Sequence, residues 1–163
     1  MEPAEITAGR LHLRPWAPQD APALQDLLDD PEIARWTPHP YPCPAGYAAA
    51  RIAADPAAWA AGSRAELAVL DATTAALLGT AGLYRFAGAQ AEVGWLTGRT
   101  ARGRGVATDA VGALTRWAFG GLGLELLAAR VTVGNDASRT VAERVGFVLD
   151  RVDEDAWVFT LRP

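Results

Sequence analysis

Alternating and apolar runs, separated by stretches with helical spacing, divide this chain into a regular succession of elements. Arg10-Leu11-His12-Leu13-Arg14 alternates polar and apolar side chains until Pro15, which predicts a first strand. Asp20 then opens a helix carrying Ala23, Leu24, Leu27 and Leu28 on one face. Residues 31–44 are rich in proline and aromatics and read as a loop or short helical turn. Residues 45–61 are alanine-rich and helical, with a break expected at Asp55-Pro56, because a proline disfavours helix in the residue before it. Three apolar runs follow, at 65–70, 76–85 and 91–96, joined by linkers of only a few residues. Parallel neighbours need a crossover of about a dozen residues or more, so these runs predict an antiparallel meander. A helix is expected from Gly105 to Phe119, its buried face marked by Ala107, Ala110, Val111, Leu114 and Ala118. A strand at 125–133, a helix at 136–145 capped by Gly146, and a hairpin at 147–151 and 156–161 complete the chain.

The order is therefore β-α-α-β-β-β-α-β-α-β-β. It predicts an α/β (α+β) domain with a mixed, mostly antiparallel sheet of six to seven strands flanked by helices. At 163 residues the chain suits a single domain, spanning residues 1–163, with a substantial core. No apolar run approaches 18 residues, and the first residues lack the basic start and apolar stretch of a secretory signal, so a cytoplasmic protein with no membrane partner is expected. Cys43 is the only cysteine, and His12 and His39 have no companions at metal or triad spacing. No metal is expected, and both histidines read as structural.

The net charge of −4 argues against nucleic acid as a partner, since such proteins need a basic face to displace counterions. Every basic side chain other than histidine is arginine, so neither a Schiff-base lysine nor a P-loop lysine can exist here. Within this acidic background Arg99, Arg102 and Arg104 gather around glycines, a local reversal of sign that suits an anionic ligand. The segment Arg102-Gly103-Arg104-Gly105-Val106-Ala107-Thr108 lies between a strand and a helix. Glycines there let the backbone approach a ligand, and the first turn of the helix offers unpaired N–H groups to a phosphate or pyrophosphate. By itself the spacing fits a plain helix start with solvated arginines better. A dinucleotide fingerprint fits poorly, because Thr108 replaces its third glycine and Glu125 begins a strand where an acid should end one.

Four separated motifs, in order, carry a more specific signal. Arg102-x-x-Gly105-x-Ala107 resembles the Gln/Arg-x-x-Gly-x-Gly/Ala turn of the GNAT superfamily of N-acetyltransferases. Residues 10–16 with Asp20 resemble the opening of its RimJ/RimL-like group, which acetylates ribosomal-protein N-termini. Residues 78–83 and 91–95 resemble its central strands, and Asn135-x-x-Ser138-x-x-x-x-Glu143-x-x-Gly146-Phe147 its C-terminal signature. The resemblance covers essentially the whole chain. It implies an acetyl-CoA-dependent enzyme that acetylates a primary amine, either a protein N-terminus or a small molecule, and it leaves a homodimer open. A CoA-binding sensor that has lost catalysis is the alternative from another class.

The resemblance also implies site residues. Arg102, Gly103, Arg104, Gly105, Val106, Ala107 and Thr108 would wrap the CoA pyrophosphate. The backbone of Trp95, Leu96 and Thr97 would pair with the pantetheine arm where two parallel strands splay apart, with a strand N–H polarising the thioester carbonyl. Asn135 would contact the cofactor arm and Ser138 would lie near the sulfur. Glu92 is the candidate base, with a structural or orienting role as the other reading. Ser138 could protonate the thiolate or simply bond the backbone at a helix start. Many relatives carry a tyrosine acid where Ala142 stands, so that role has no counterpart at this position. Of Trp36, Tyr41, Tyr47 and Trp59, one or two are expected to face the acceptor. The run Asp153-Glu154-Asp155 reads as a solvated turn, and Cys43 is not expected to be a nucleophile. An α-amine with pKa about 7.8 costs about 1 kcal/mol to deprotonate at pH 7, against about 5 for a lysine-type amine.

Overall fold

The computed structural model describes residues 1–163. One eight-stranded sheet runs through it in the order β1-β2-β3-β4-β5-β6-β8-β7. Its strands are β1 (Ile6–Ala8), β2 (Leu11–Arg14), β3 (Arg64–Asp71), β4 (Leu77–Ala87), β5 (Gln90–Thr97), β6 (Leu126–Thr132), β7 (Val148–Val152) and β8 (Ala156–Leu161). The helices are α1 (Ala21–Leu28), α2 (Pro31–Trp36), α3 (Tyr47–Ala61), α4 (Val106–Gly120) and α5 (Asp136–Val145). The expected meander is present: β2 to β5 pair antiparallel in sequence.

The sheet has one strand more than the pattern predicts. Three residues are too few to show alternation, and β1 is a strand because Ile6 and Ala8 pair with Leu13 and Leu11 of β2. Nor does Pro56 break α3, which runs unbroken through it. The turn around Pro56 is held by side-chain bonds: buried Asp55 accepts from Trp59 Nε1 within α3 at 3.0 Å and pairs with Arg64 Nη2 of β3 at 3.2 Å. The proline-rich segment folds into α2, whose first turn is capped by Asp30 accepting from the Glu32 amide at 2.9 Å.

Strand alternation separates two apolar layers. Leu11, Leu13, Leu67, Val69, Ala81, Leu83, Val93, Leu127, Ala129 and Phe159 face α4 and α5 and pack on Val106, Ala110, Val111 and Leu114. On the opposite side Leu24, Leu27 and Leu28 of α1 pack with Ile33, Ala48 and Ile52, and Leu96 joins them. Ala23 faces solvent, not this layer. Ala107, expected in the core, instead lines a cavity.

One irregularity of the sheet matters for chemistry. β5 and β6 are parallel neighbours, but their pairing covers only Gln90–Leu126, Ala91–Leu127 and Glu92–Ala128. Beyond Glu92, β5 stays bonded to β4 as far as Thr97, while β6 stays bonded to β8. The two strands diverge, and a gap opens in the middle of the sheet.

Candidate active site

The gap leads into a cavity of about 800 Å³, lined on one side by the glycine turn and on the other by α2, the loop after it, and α3. Main-chain direction follows from the β4 pairing. Gly98 N–H donates to Leu78 O at 2.8 Å, so Leu96 and Gly94 also turn their main-chain groups toward β4, in register with Thr80 and Gly82. Trp95 and Thr97 then point theirs into the gap. The Thr97 carbonyl accepts from Arg102 Nε at 3.2 Å, which leaves the Trp95 groups unbonded where β6 has departed. Of the three residues expected to offer backbone here, Trp95 and Thr97 face the gap and the Leu96 backbone faces β4.

The turn before α4 has the conformation its glycines allow. Gly103 and Gly105 sit at φ +70° and +75°, the left-handed region. A Cβ at Gly103 would meet nothing within 4 Å, so conformation rather than crowding requires the glycine. The first α4 amide bonded within this region is Asp109 N–H, to Gly105 O at 3.0 Å. The N–H groups of Val106, Ala107 and Thr108 have no main-chain partner, and all three residues line the cavity. This is a ready anion cradle at a helix N-terminus.

The arginines behave differently from expectation. Arg102 lines the cavity, but its Nη2 is bound to Asp30 at 2.7 Å, so it ties the turn to the start of α2. Burial pushes the Asp30 carboxyl up, yet the Glu32 amide and the Arg102 guanidinium hold it below the usual carboxylate range. The Arg104 side chain lies off the cavity: its Nη1 donates to Thr100 O at 3.4 Å, and its own carbonyl accepts from Arg10.

Asn135 and Ser138 line the cavity from the opposite wall. The Asn135 Oδ1 accepts from the Ser138 amide at 3.2 Å and caps α5, while the Ser138 hydroxyl makes no hydrogen bond within the chain and is free for a ligand. Ala142 is fully buried in the core, away from the cavity.

Glu92, the candidate base, stands at the last paired position of β5 and β6, at the edge of the gap. It does not line this cavity; it borders a separate pocket of about 360 Å³ beside Arg130 and Arg151. Its carboxylate pairs with Arg85 Nη1 at 3.2 Å. The reason lies in its cross-strand neighbour Tyr84, whose ring lies over Gly94, where a Cβ would meet Cε2 at 3.0 Å. The ring covers the next position after Glu92 on the same face of β5.

Other groups take the ground that Glu92 does not. Glu66, 1 % exposed, receives Arg51 Nη2 on both carboxylate oxygens at 3.0 and 2.9 Å. Burial and the nearby Glu66 charge raise the Tyr84 phenol well above its ordinary value. Trp36 and Tyr47 line the cavity, whereas Tyr41 is on the surface and Trp59 is in the core. His12 pairs with Glu5 at the surface, but His39, read as structural, also lines the cavity, and its Nδ1 stands 3.1 Å from Tyr47 Oη. No sequence spacing could reveal this, because the residues meet through the loop between α2 and α3. Cys43 is outside the cavity, its thiol pushed up by burial. Asp153 is not merely solvated: it accepts from Arg130 at 2.6 Å and Arg151 at 3.1 Å.

No helix is long and apolar enough to cross a membrane. The acetyltransferase (GNAT) domain family matches residues 10–148. No curated protein gives a significant match. Among solved structures, an acetyltransferase from Agrobacterium tumefaciens is 29% identical, with 100% of this chain and 96% of that one covered and a TM-score of 0.83. A ribosomal-protein-S5-alanine acetyltransferase from Vibrio fischeri has the same fold at 19% identity, 98% and 96% coverage and a TM-score of 0.82. So does a spermidine N-acetyltransferase from Vibrio cholerae, solved with CoA and spermine, at 19% identity, 94% and 95% coverage and a TM-score of 0.79. With its splayed strands, its glycine cradle and most of its length matched, this chain belongs to the GNAT family and is an acetyl-CoA-dependent acetyltransferase.

Proposed function

We propose that the chain transfers an acetyl group directly from acetyl-CoA to a primary amine, the acceptor being a protein N-terminal α-amine or a small-molecule amine. One observation carries this reading: the gap beyond Glu92–Ala128 and the positive-φ turn at Gly103 and Gly105 open onto the same cavity. In this reading the free amides of Val106, Ala107 and Thr108 hold the pyrophosphate, each charge-assisted bond contributing about 1.5–3 kcal/mol. The pantetheine arm lies in the gap, completing on β5 the ladder that β6 leaves, with Asn135 beside it. The Trp95 N–H polarises the thioester oxygen, and the Ser138 hydroxyl protonates the departing thiolate. Arg102 acts as a strut between the turn and α2, and Arg104 contributes its backbone. A cytoplasmic setting is part of the proposal.

The neighbours that act on ribosomal-protein alanine and on spermidine support both kinds of acceptor. The test is thiol release from acetyl-CoA by the purified protein with an alanine-initiated peptide, a serine-initiated peptide and spermidine. Turnover with one of them is expected. Tight CoA binding without turnover on any amine would favour the sensor reading, and absence of CoA binding would overturn the site assignment.

A further inference from the structure

We infer that His39 is the base that takes the proton from the incoming amine, with Tyr47 as the residue that positions its ring. The inference rests on the acetyl-transfer reading above and adds the group that reading lacks.

The ionisable groups on the acceptor side of the cavity are few, and most are committed. Both oxygens of Glu66 are held by Arg51, and the residue is 1 % exposed. Glu32, in the first turn of α2, has its Oε1 taken by Trp36 Nε1 at 2.8 Å and is half exposed to water. Arg51 is a cation, and Tyr84 holds its proton more tightly than an ordinary phenol. His39 is the one imidazole among them, and it lines the same cavity as Trp95 and Ser138. Its main chain is held too, since the His39 amide donates to Thr37 Oγ1 at 3.3 Å.

In this proposal the contact with Tyr47 assigns the roles of the two ring nitrogens. With the proton on Nδ1 donated to the Tyr47 hydroxyl oxygen, the lone pair remains on Nε2. Burial, then the Arg51 charge, lowers the His39 pKa, while Glu66 opposes the shift. The charged groups that act on it are therefore Arg51 on α3 and Glu66 on β3, with the neutral Tyr47 phenol in contact. The ring is neutral at pH 7 and able to accept.

The proton and electron balance closes. Nε2 takes a proton from the ammonium group, and the freed lone pair attacks the thioester carbon. The C–N bond forms as the carbonyl π pair moves to the oxygen beside the Trp95 N–H. Collapse breaks the C–S bond, with its electron pair leaving on sulfur. The remaining excess proton on nitrogen passes to the thiolate by way of the Ser138 hydroxyl, and His39 releases its own proton to solvent. A weak base of this kind suits an α-amine of pKa about 7.8 far better than a lysine-type amine of about 10.4, for which the first transfer is several-hundred-fold less favourable still.

The test compares wild type, His39→Gln and Tyr47→Phe with the serine-initiated peptide, the alanine-initiated peptide and spermidine across pH. Wild-type turnover tests the acetyl-transfer reading; the ratio between wild type and variant tests this one. For His39→Gln, kcat should fall by about 10²–10⁴-fold with CoA affinity unchanged, and the acidic limb of the profile should vanish. Tyr47→Phe should keep the limb but shift it. Added imidazole should restore part of the rate to His39→Ala. An acidic limb unchanged in His39→Gln, with kcat within threefold of wild type, would overturn the assignment. Should the variants unfold, proton NMR titration of wild type decides, because His12 is the only other histidine and His12→Gln assigns the signals. A His39 titration that coincides with the kinetic limb supports the role, and one that does not coincide removes it.

Discussion

Glu92 and Ala128 form the last paired position between β5 and β6, and the gap in the sheet opens on one side of that pair. Below it the strands close a continuous sheet. Above it, Trp95 and Thr97 turn their backbone into space. Glu92 belongs to the closed side, across from Tyr84 and paired with Arg85. Glu92→Gln should therefore change kcat/KM by less than about threefold, since its carboxylate borders a different pocket, and stability by about 0–1 kcal/mol, since the pair it loses is partly exposed. Steady-state kinetics with whichever amine is turned over checks this; a hundredfold loss would return Glu92 to the chemistry.

The left-handed turn should be sensitive in a different way. Alanine at Gly105 must adopt φ +75°, at a cost of about 1–2 kcal/mol, or rotate the peptide and misdirect the first α4 amides. Gly105→Ala should weaken CoA binding about tenfold or more by titration calorimetry, with a much smaller fractional effect on the melting temperature.

Gly79 is required for the opposite reason, crowding within the sheet. A Cβ there would stand 2.2 Å from the Leu96 carbonyl oxygen, and backbone cannot swing aside as a side-chain tip can. Gly79→Ala should force β4 and β5 apart and cost about 1–3 kcal/mol or more, as overpacking does. Urea unfolding of the variant measures it. A loss under about 0.5 kcal/mol would mean that the strands already breathe at this point.

The Asp30–Arg102 contact predicts a pH dependence. The Asp30 pKa is lowered in the folded chain from an ordinary 3.8, so the folded state binds protons less readily than the unfolded one. Its stabilisation is therefore complete above about pH 4 and is lost as pH falls through the lower folded value. Asp30→Asn should be less stable than wild type by about 1–3 kcal/mol at pH 7. The gap between the two urea-unfolding curves should stay constant from pH 8 to 5 and narrow below 3.8. Because Arg102 then loses its anchor, CoA affinity should also drop.

Ser138 has a hydroxyl with no partner in the chain, so Ser138→Ala leaves no buried polar group unsatisfied. The variant should fold with an unchanged melting temperature and lose about 10- to 1000-fold in kcat if the hydroxyl serves the thiolate. A melting temperature that falls with no change in kcat would make it a helix-start residue only.

Local signals in the chain reach a long way toward this fold. The short linkers around 71–74 and 87–90 predict the meander, Gly146 predicts the end of α5, and 106–118 has the helical spacing found in α4. Signals that depend on a distant partner fail. Pro56 does not stop α3, because Trp59 and Arg64 hold Asp55, and β1 exists only as a complement to β2. The site divides in the same way. The glycine turn acts on neighbours within a few residues and was readable, whereas the α5 cap by Asn135, expected only as a contact to the cofactor arm, was not read.

The amino-acid order by itself determined most of the strands and helices, because propensity, capping and turn chemistry act over a few residues, and its four separated motifs carried the family resemblance. The tertiary structure alone decided that Glu92 borders a separate pocket, that Arg102 serves Asp30, and that His39 reaches Tyr47 and the cavity. Those facts depend on how α2 and α3 lie across the sheet, a packing outcome summed over many distant contacts, none of which leaves a local mark in the chain.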